Sequence, residues 1–191
     1  MKTGIFGGTF DPIHIGHIIS VLEVKLKFGL DRVIFIPARQ SPHKTLKPSD
    51  DDDRVEMLRK ATAGYEGIGL DTVELQREGR SFTYDTAVYL KEKYPEDELY
   101  FLMGTDQYES FESWYRHEDL LEMMKFIVMM RHSDDVDIAN PFIRADQLVV
   151  EISSTLVRAR IGQGLPYRHF LDASVYEYIK ENALYETQSS T

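Results

Sequence analysis

Runs of apolar, β-branched and aromatic residues alternate along this chain with stretches of helical spacing, and this alternation constrains the fold most strongly. It is typical of βαβ units, in which helices connect parallel strands and cover the sheet. Several apolar runs lack the polar–apolar alternation of a strand with one wet face, which indicates strands covered on both faces. The sequence therefore predicts an α/β protein with a doubly wound parallel sheet and helices on both faces.

The predicted elements follow from this pattern. Strands are predicted at residues 3–6, 32–36, 68–75, 98–103, 126–130 and 147–152. Helices are predicted at residues 17–28, 53–63, 84–94, 118–124, 154–161 and 173–182, with Pro95 and Gly162 as stop signals. No repeat or Pro/Gly/Ser-rich linker divides the chain. We therefore expect a single domain over 1–186, followed by a frayed polar tail at 187–191.

Composition excludes several classes of protein. The 191 residues contain 22 Lys and Arg against 32 Asp and Glu, a net charge of −10, which argues against a nucleic-acid partner. The absence of cysteine excludes disulfides, thiolate nucleophiles and iron–sulfur clusters. No apolar run approaches the roughly 20 residues that span a bilayer, and the N-terminus lacks the apolar stretch of a signal peptide. We expect a cytoplasmic protein without a membrane partner.

The segment TGIFGGTFDPIHIGH runs from the first strand through Gly7 and Gly8 into a helix. A glycine pair at the carboxyl end of a strand lets the backbone pass close to a ligand, and the following helix presents unpaired N–H groups to an anion. His14 and His17 both lie at the helix start, within reach of one phosphate, and Gly16 leaves room for that phosphate. This segment is the first candidate phosphate site, although it is neither a Walker A loop nor a GxGxxG loop.

Two alternatives remain open for this histidine pair. The same spacing occurs in surface turns that contain two incidental histidines. A zinc site needs a further ligand, and the nearest other histidine, His43, is far along the chain. The position of the pair favours the phosphate interpretation, because a doubly wound sheet forms its ligand crevice at the carboxyl ends of the strands. We therefore predict no protein-held metal.

A second candidate phosphate site lies near the C-terminus, in ISSTLVRARI. Ser153, Ser154 and Thr155 fall at the predicted start of a helix, and Arg158 projects from its first turns. Hydroxyls, free backbone amides, the positive end of the helix dipole and an arginine together suit a polyphosphate. An ordinary Ser/Thr cap with exposed arginines has the same sequence pattern.

The acidic run at 49–53 directly precedes the helical pattern RVEMLRKAT. We interpret it as a solvated helix N-terminus, which the helix dipole favours. A divalent-metal site is the less favoured alternative, because consecutive aspartates cannot all face one ion.

These two segments resemble a known pair of motifs. GGTFDPIHIGH resembles the (H/T)xGH element of the nucleotidyltransferase superfamily, and ISSTLVR resembles its ISSTxxR element. The first element also occurs in class I aminoacyl-tRNA synthetases, but these need a much longer chain, a KMSKS-type segment and a basic tRNA face. The double resemblance implies a Rossmann-like sheet of the nucleotidyltransferase type.

The middle of the chain resembles one branch of that superfamily, the bacterial nicotinate-mononucleotide adenylyltransferases. SPHK at 41–44, GRSFTYDT at 79–86, FLMGTDQ at 101–107 and Trp114 match this branch's PPHK, G-S-[FY]-T-x-D-T, GxD and tryptophan blocks in order. Pantetheine-phosphate adenylyltransferases typically carry threonine in place of His14. The sequence departs from the branch at 38–41, at Thr105 and at 171–173.

The resemblance implies that nicotinate mononucleotide attacks the α-phosphorus of ATP, giving deamido-NAD and pyrophosphate in NAD biosynthesis. A phosphate monoester is already an anionic nucleophile, so the enzyme only positions the substrates and stabilises charge. The resemblance assigns His14 and His17 to the α-phosphate and its transition state, and Arg158 to the departing phosphates. Mg²⁺ would arrive bound to the ATP phosphates.

The remaining implied site residues fall into two sets. Those for ATP are Gly7, Gly8, Thr9, Phe10, Gly16, Gly104, Asp106, Ile152, Ser153, Ser154 and Thr155. Those for the mononucleotide are Lys44, Thr83, Tyr84 and Trp114, with Thr83 expected to cap a helix that begins at Tyr84. Alternatives stay open for four of these residues: loop packing for Phe10, an exposed loop lysine for Lys44, helix capping alone for Thr83 and core packing for Trp114.

Two other functions remain open. One is adenylyl or cytidylyl transfer to a different phosphorylated metabolite, such as phosphopantetheine. The other is a catalytically silent nucleotide-binding regulator on the same fold, since a fold alone does not decide a function. The sequence also leaves open whether the chain forms a homo-oligomer.

Overall fold

A computed structural model describes residues 1–39, 49–77, 82–131 and 135–186. Its strands are β1 (Lys2–Gly8), β2 (Arg32–Pro37), β3 (Ile68–Leu70), β4 (Glu98–Gly104), β5 (Lys125–Met129) and β6 (Ile143–Ala145). Its helices are α1 (Ile15–Phe28), α2 (Asp51–Thr62), α3 (Thr83–Lys93), α4 (Thr105–Glu109), α5 (His117–Met123), α6 (Ser154–Gly162) and α7 (Ala173–Glu181). Short 3-10 turns lie at Phe111–Ser113 and Arg168–Phe170.

The six strands form one sheet in the order β3-β2-β1-β4-β5-β6, and every neighbouring pair is parallel. β1 pairs with β2 on one side and with β4 on the other, so the strand order reverses at this point. This is the doubly wound topology that the sequence predicts, and its switch point lies between β1 and β4.

Both faces of the sheet are covered, as the apolar strands predict. Successive strand residues alternate between two buried clusters: Ile5 and Phe101 belong to one, and Phe6 and Leu102 to the other. The first cluster contains side chains from α3 and α5, and the second contains side chains from α1, α2, α6 and α7. The sheet is therefore the central layer of the protein. The accessible parts of its strands are their two ends, where the loops begin.

The predicted sixth strand, at 147–152, is wrong. The strand beside β5 is β6, and the chain then leaves the sheet: the Gln147 side chain donates to the Met130 carbonyl, and the Ile152 N–H donates to the Val150 carbonyl. The side chain of Leu148 is largely exposed. Apolarity alone misled the prediction, because this run forms part of the wall of a cleft instead of part of a ladder.

The third strand is shorter than predicted, ending at Leu70 instead of residue 75. Asp71 turns the chain, because its carboxylate accepts a hydrogen bond from the N–H of Val73, 3.0 Å away. The predicted tail at 187–191 lies outside the described residues. No helix within the described ranges has both the length and the apolar character needed to cross a membrane.

Candidate active site

A cleft of about 1270 Å³ opens at the carboxyl ends of β1, β4 and β5, where the strand order reverses. It exceeds the roughly 300–1000 Å³ of a single-ligand pocket, so it has room for two substrates. The predicted site residues that line it are Gly7, Gly8, Thr9, Phe10, His14, Gly16, His17, Thr83, Gly104, Asp106, Trp114, Ile152 and Ser153. Ser154, Thr155, Arg158 and Tyr84 lie outside its wall, and Lys44 lies outside the described residues.

The two histidines of the first loop form one rigid unit. His14 is the N-cap of α1, and the His17 ring stacks on the His14 ring with centroids 3.6 Å apart. The backbone N–H of His14 donates to Nδ1 of His17 across 3.3 Å. Because Nδ1 acts as an acceptor, a neutral His17 carries its proton on Nε2.

His14 is buried, with 5% of its surface exposed. Its Nδ1 has no hydrogen-bond partner among the described residues, although the ring lines the cleft. Burial disfavours the charged imidazolium and lowers the pKa of His14 to about 4. At neutral pH the ring is therefore uncharged, with one N–H donor and one acceptor.

Close packing holds this loop in place. A Cβ on Gly16 would lie 3.0 Å from the Val150 carbonyl and 3.1 Å from Nδ1 of His14, so the helix start has no space for a larger residue. Phe10 is buried at φ +50°, a conformation that a bulky residue rarely adopts. Its ring packs on Phe6 and meets the His17 ring edge-on at 5.2 Å, as the loop-packing interpretation predicts.

The second motif begins α6. Ser153 is the N-cap, and its Oγ accepts the N–H of Leu156 at 3.1 Å. The Ser154 hydroxyl donates to the Pro12 carbonyl at 2.9 Å, and the Arg158 guanidinium donates to the Asp11 carbonyl at 2.5 Å. Two motifs from opposite halves of the chain are therefore in direct contact.

Asp11 connects this junction to the C-terminal segment. Its carboxylate accepts the hydroxyl of Tyr185 at 2.7 Å and the N–H of Ser49 at 3.3 Å, and it lies 4.0 Å from the Arg158 guanidinium. Burial and the neighbouring Asp11 charge raise the pKa of Tyr185 above its ordinary value. Arg158 therefore contacts the backbone and lies near the carboxylate of a residue in the first loop.

The helix at the other end of the cleft begins one residue earlier than predicted. Its first residue is Thr83 and its N-cap is Phe82, which has no side-chain oxygen, so the predicted capping role of Thr83 is wrong. Thr83 lines the cleft instead. The Tyr84 ring lies under the Arg116 guanidinium, 4.1 Å away, and outside the cleft wall.

Trp114 packs on core aromatic residues and also lies in the cleft wall, so its predicted contact with the mononucleotide stays a prediction. Its ring packs edge-on against Phe101 at 5.7 Å and contacts Phe111 at 5.4 Å, and it also lines the cleft. At the end of β4, Asp106 lies in the cleft wall with its side chain largely exposed. Nη2 of Arg131 lies 3.9 Å from the Asp106 carboxylate.

Sequence reasoning missed several polar residues at this cleft. Arg131 lies two residues after the last residue of β5, so its position near a strand's carboxyl end was a usable signal. Glu74 and Thr86 line the cleft near Thr83, and the Thr86 hydroxyl donates to Glu74 at 2.8 Å. Arg54 lies fully buried behind the first loop.

The described residues contain no group of three or more His, Asp or Glu side chains arranged to hold a metal ion. A Mg²⁺ ion that arrives on a triphosphate would need no such group, because phosphate oxygens and water would supply most of its ligands.

Comparison with known proteins agrees with this geometry. The cytidylyltransferase-like family matches residues 5–160. The nicotinate-nucleotide adenylyltransferase of Bacillus subtilis is 40% identical over 97% of this chain and 99% of its own length. The probable nicotinate-nucleotide adenylyltransferase of Bacillus pumilus is 42% identical over the same shares.

Solved structures show the same fold. The Plasmodium falciparum nicotinic acid mononucleotide adenylyltransferase complexed with APC superposes with a TM-score of 0.79 at 21% identity, covering 96% of each chain. The same enzyme complexed with NaAD gives a TM-score of 0.78 at 22% identity, over 97% of this chain and 98% of that one. Together with the sequence match, these findings show that the chain belongs to the cytidylyltransferase-like family, alongside the nicotinate-nucleotide adenylyltransferases.

Proposed function

We propose that this protein transfers the adenylyl group of ATP to nicotinate mononucleotide, producing deamido-NAD and pyrophosphate. The observation that carries the proposal is the junction of the two phosphate motifs. Ser154 and Arg158 of one motif donate to the backbone of Pro12 and Asp11 in the other, beside the cleft. The relatives that match nearly the full chain carry the corresponding enzyme name.

The reaction needs no covalent intermediate. A phosphate oxygen of the mononucleotide forms a bond to the α-phosphorus, the bond from that phosphorus to the α–β bridging oxygen breaks, and pyrophosphate leaves with that electron pair. Neutral His14 and the His17 ring each offer an N–H donor to the charge that develops on the α-phosphate oxygens. The start of α6, with Ser153 and Thr155, would hold the β- and γ-phosphates, and a Mg²⁺ ion bound to these phosphates would supply positive charge to the leaving pyrophosphate.

Arg158 joins the phosphates by leaving its contact with Asp11. Its side chain is about one-third exposed, and its partners are the Asp11 carbonyl, the Thr155 hydroxyl at 3.4 Å and the Asp11 carboxylate 4.0 Å away. A triphosphate offers several pairs of anionic oxygens, and the planar fork of a guanidinium can bind such a pair with two parallel hydrogen bonds.

The start of α3 suits the pyridine carboxylate. Its first N–H groups lack helical partners, and Thr83, Thr86 and Trp114 line the cleft beside them. Glu74 lies in the same wall, but it accepts the Thr86 hydroxyl, which in turn accepts from Arg77 at 2.9 Å. An amide in place of the carboxylate would point an NH₂ donor at a backbone N–H donor. Each such pair of facing donors costs about 1–3 kcal/mol of binding free energy. We therefore expect nicotinate mononucleotide to be preferred over nicotinamide mononucleotide.

A single assay tests this proposal. Pyrophosphate release is measured with ATP or CTP, each paired with nicotinate mononucleotide, nicotinamide mononucleotide or phosphopantetheine. The expected result is the highest kcat/KM for ATP with nicotinate mononucleotide. Equal or greater kcat/KM with nicotinamide mononucleotide would remove the carboxylate-receptor role of α3, and turnover only with CTP or phosphopantetheine would contradict the proposed function. The cytoplasmic location and the oligomeric state stay predictions to be tested separately.

A further inference from the structure

Arg54, near the start of α2, is one of the largest completely buried side chains among the described residues. Its Nη1 donates to the Thr9 carbonyl at 2.7 Å and to the Ala38 carbonyl at 2.8 Å. Its Nη2 donates to the Asp51 carboxylate at 2.5 Å. One guanidinium therefore connects the Thr9 carbonyl, the Ala38 carbonyl and the Asp51 carboxylate behind the cleft.

The two carbonyls belong to the ends of adjacent parallel strands. β1 and β2 pair up to Gly8 and Pro37, and the N–H of Ala38 donates to the Gly8 carbonyl as the last ladder bond. Beyond it, the Thr9 and Ala38 carbonyls have left the ladder and both need donors. Thr9 and Ala38 also line the cleft, so Arg54 holds two parts of the cleft wall from behind.

Packing alone does not explain an arginine here. Residues 54, 57, 58 and 61 share one face of α2, and the other three are the buried apolar residues Met57, Leu58 and Ala61. Burying a guanidinium is costly unless its donors are satisfied, and Nε of Arg54 has no partner within the described part of the chain. Arg54 is thus a charged residue on an apolar helix face, where it donates to the Thr9 carbonyl in the loop that leads to His14.

We propose that Arg54 is a positioning residue for the adenylyl-transfer reaction: it holds the first loop and the segment after β2 in the relative arrangement that the transition state needs. The inference rests on the proposed function. Arg54 does not touch the cleft itself, so it acts through Thr9 and Ala38. Since a shift of about 1 Å in a reacting group costs on the order of a hundredfold in rate, loosening this connection should lower kcat more than substrate affinity.

The chain offers a matched control on the same helix. Arg59 pairs with Glu56 three residues earlier, as Arg54 pairs with Asp51, but the Arg59 side chain is exposed. Arg54→Lys keeps the charge but loses the planar fork that reaches two carbonyls and a carboxylate at once. Arg59→Lys makes the same chemical change where no loop depends on it. Asp51→Asn removes the carboxylate that pairs with Arg54, and Asp51 is partly exposed. This variant replaces Arg54→Lys in the experiment if Arg54→Lys folds poorly.

The experiment measures two properties of each variant: kcat and KM for both substrates, per folded molecule, and backbone hydrogen exchange over 7–17 in the ligand-free protein. We expect Arg54→Lys to lower kcat by roughly tenfold or more, with each KM within about threefold, and to speed exchange over 7–17. Asp51→Asn should change both properties in the same direction by less, and Arg59→Lys should match the wild type.

Unchanged kcat per folded molecule in both Arg54→Lys and Asp51→Asn would overturn the proposal and leave Arg54 with a role in stability only. Unchanged exchange over 7–17 would overturn it as well, because the loop would then not depend on Arg54. A wild-type protein that releases no pyrophosphate from ATP and nicotinate mononucleotide refutes the proposed function instead, and with it the reaction that Arg54 is proposed to serve. The exchange measurement on ligand-free protein would then still show whether Arg54 holds the loop.

Discussion

The two phosphate motifs differ in how firmly the fold holds them. In the first loop, His14 is buried, His17 stacks on it, and Phe10 and Gly16 leave little space for movement. In the second motif, Ser153 and Thr155 are exposed at the start of α6, and the Arg158 guanidinium rests on Asp11. The loop is built as a fixed surface, whereas the helix start has side chains that can reorient.

This difference matches the roles that are proposed for the two motifs. Stabilising a transition state requires donors that are already in place, because reorganisation during the reaction reduces the benefit. Holding a polyphosphate before the reaction and releasing pyrophosphate after it requires contacts that form and break. The contrast therefore predicts different kinetic losses when each motif is altered.

Substituting His17 by alanine should have the largest effect. The loss of a donor that acts mainly in the transition state should lower kcat by roughly a hundredfold or more, while ATP affinity, measured by calorimetry, stays close to that of the wild type. His169→Ala, at an exposed position outside the cleft wall, is the matched control and should keep full activity. Near-wild-type turnover in His17→Ala would exclude His17 from the mechanism.

The burial of His14 predicts a dependence of stability on pH. The pKa is about 4 in the folded protein and about 6.5 in the unfolded chain, so the unfolded chain binds the proton first as the pH falls. The contribution of neutral His14 is thus fully present above pH 6.5. It is lost between about pH 6.5 and 4, at roughly 1.4 kcal/mol per pH unit and about 3 kcal/mol in all.

Urea unfolding of the wild type and of His14→Gln at several pH values measures this loss. The wild type should lose more stability than His14→Gln on acidification, and His169→Gln should follow the wild type. Parallel curves of unfolding free energy against pH for the wild type and His14→Gln would mean that His14 is not buried as a neutral ring. The first loop would then not be the more firmly held of the two motifs.

A smaller effect is expected from Arg158→Lys. Lysine keeps the charge but not the two-pronged donor geometry, so the affinities for ATP and pyrophosphate should fall by about tenfold while that for the mononucleotide changes little. Arg160→Lys, on the same helix but with its guanidinium on the Pro166 carbonyl, is the control. If both substrates weaken equally, Arg158 does not belong to the departing phosphates.

The sequence predicted the parts of the site that local rules determine. Gly7 and Gly8 end β1, and the two histidines lie at the start of α1. The strand order then brings Gly104 and Asp106 to the same cleft. The cap at Ser153 likewise follows from its residue type and neighbours.

The parts that it missed depend on tertiary contacts. The run at 147–152 is as apolar as a strand but lines the cleft, and Thr83 lies one residue inside a helix that Phe82 caps without a side-chain bond. Arg54 had a usable signal, because it shares the i, i+3, i+4, i+7 face with Met57, Leu58 and Ala61. Only the folded chain shows that the Thr9 and Ala38 carbonyls meet it there.

The central claim is direct transfer of the adenylyl group between two substrates held in one cleft. Its most direct test follows ATP that is radiolabelled at the α-phosphorus, together with exchange of labelled pyrophosphate into ATP. Direct transfer predicts that the α-label appears in deamido-NAD, with one pyrophosphate released for each dinucleotide, and that pyrophosphate does not exchange into ATP without the mononucleotide. Label bound to the protein, or exchange without the mononucleotide, would contradict direct transfer and would require a covalent adenylyl-enzyme.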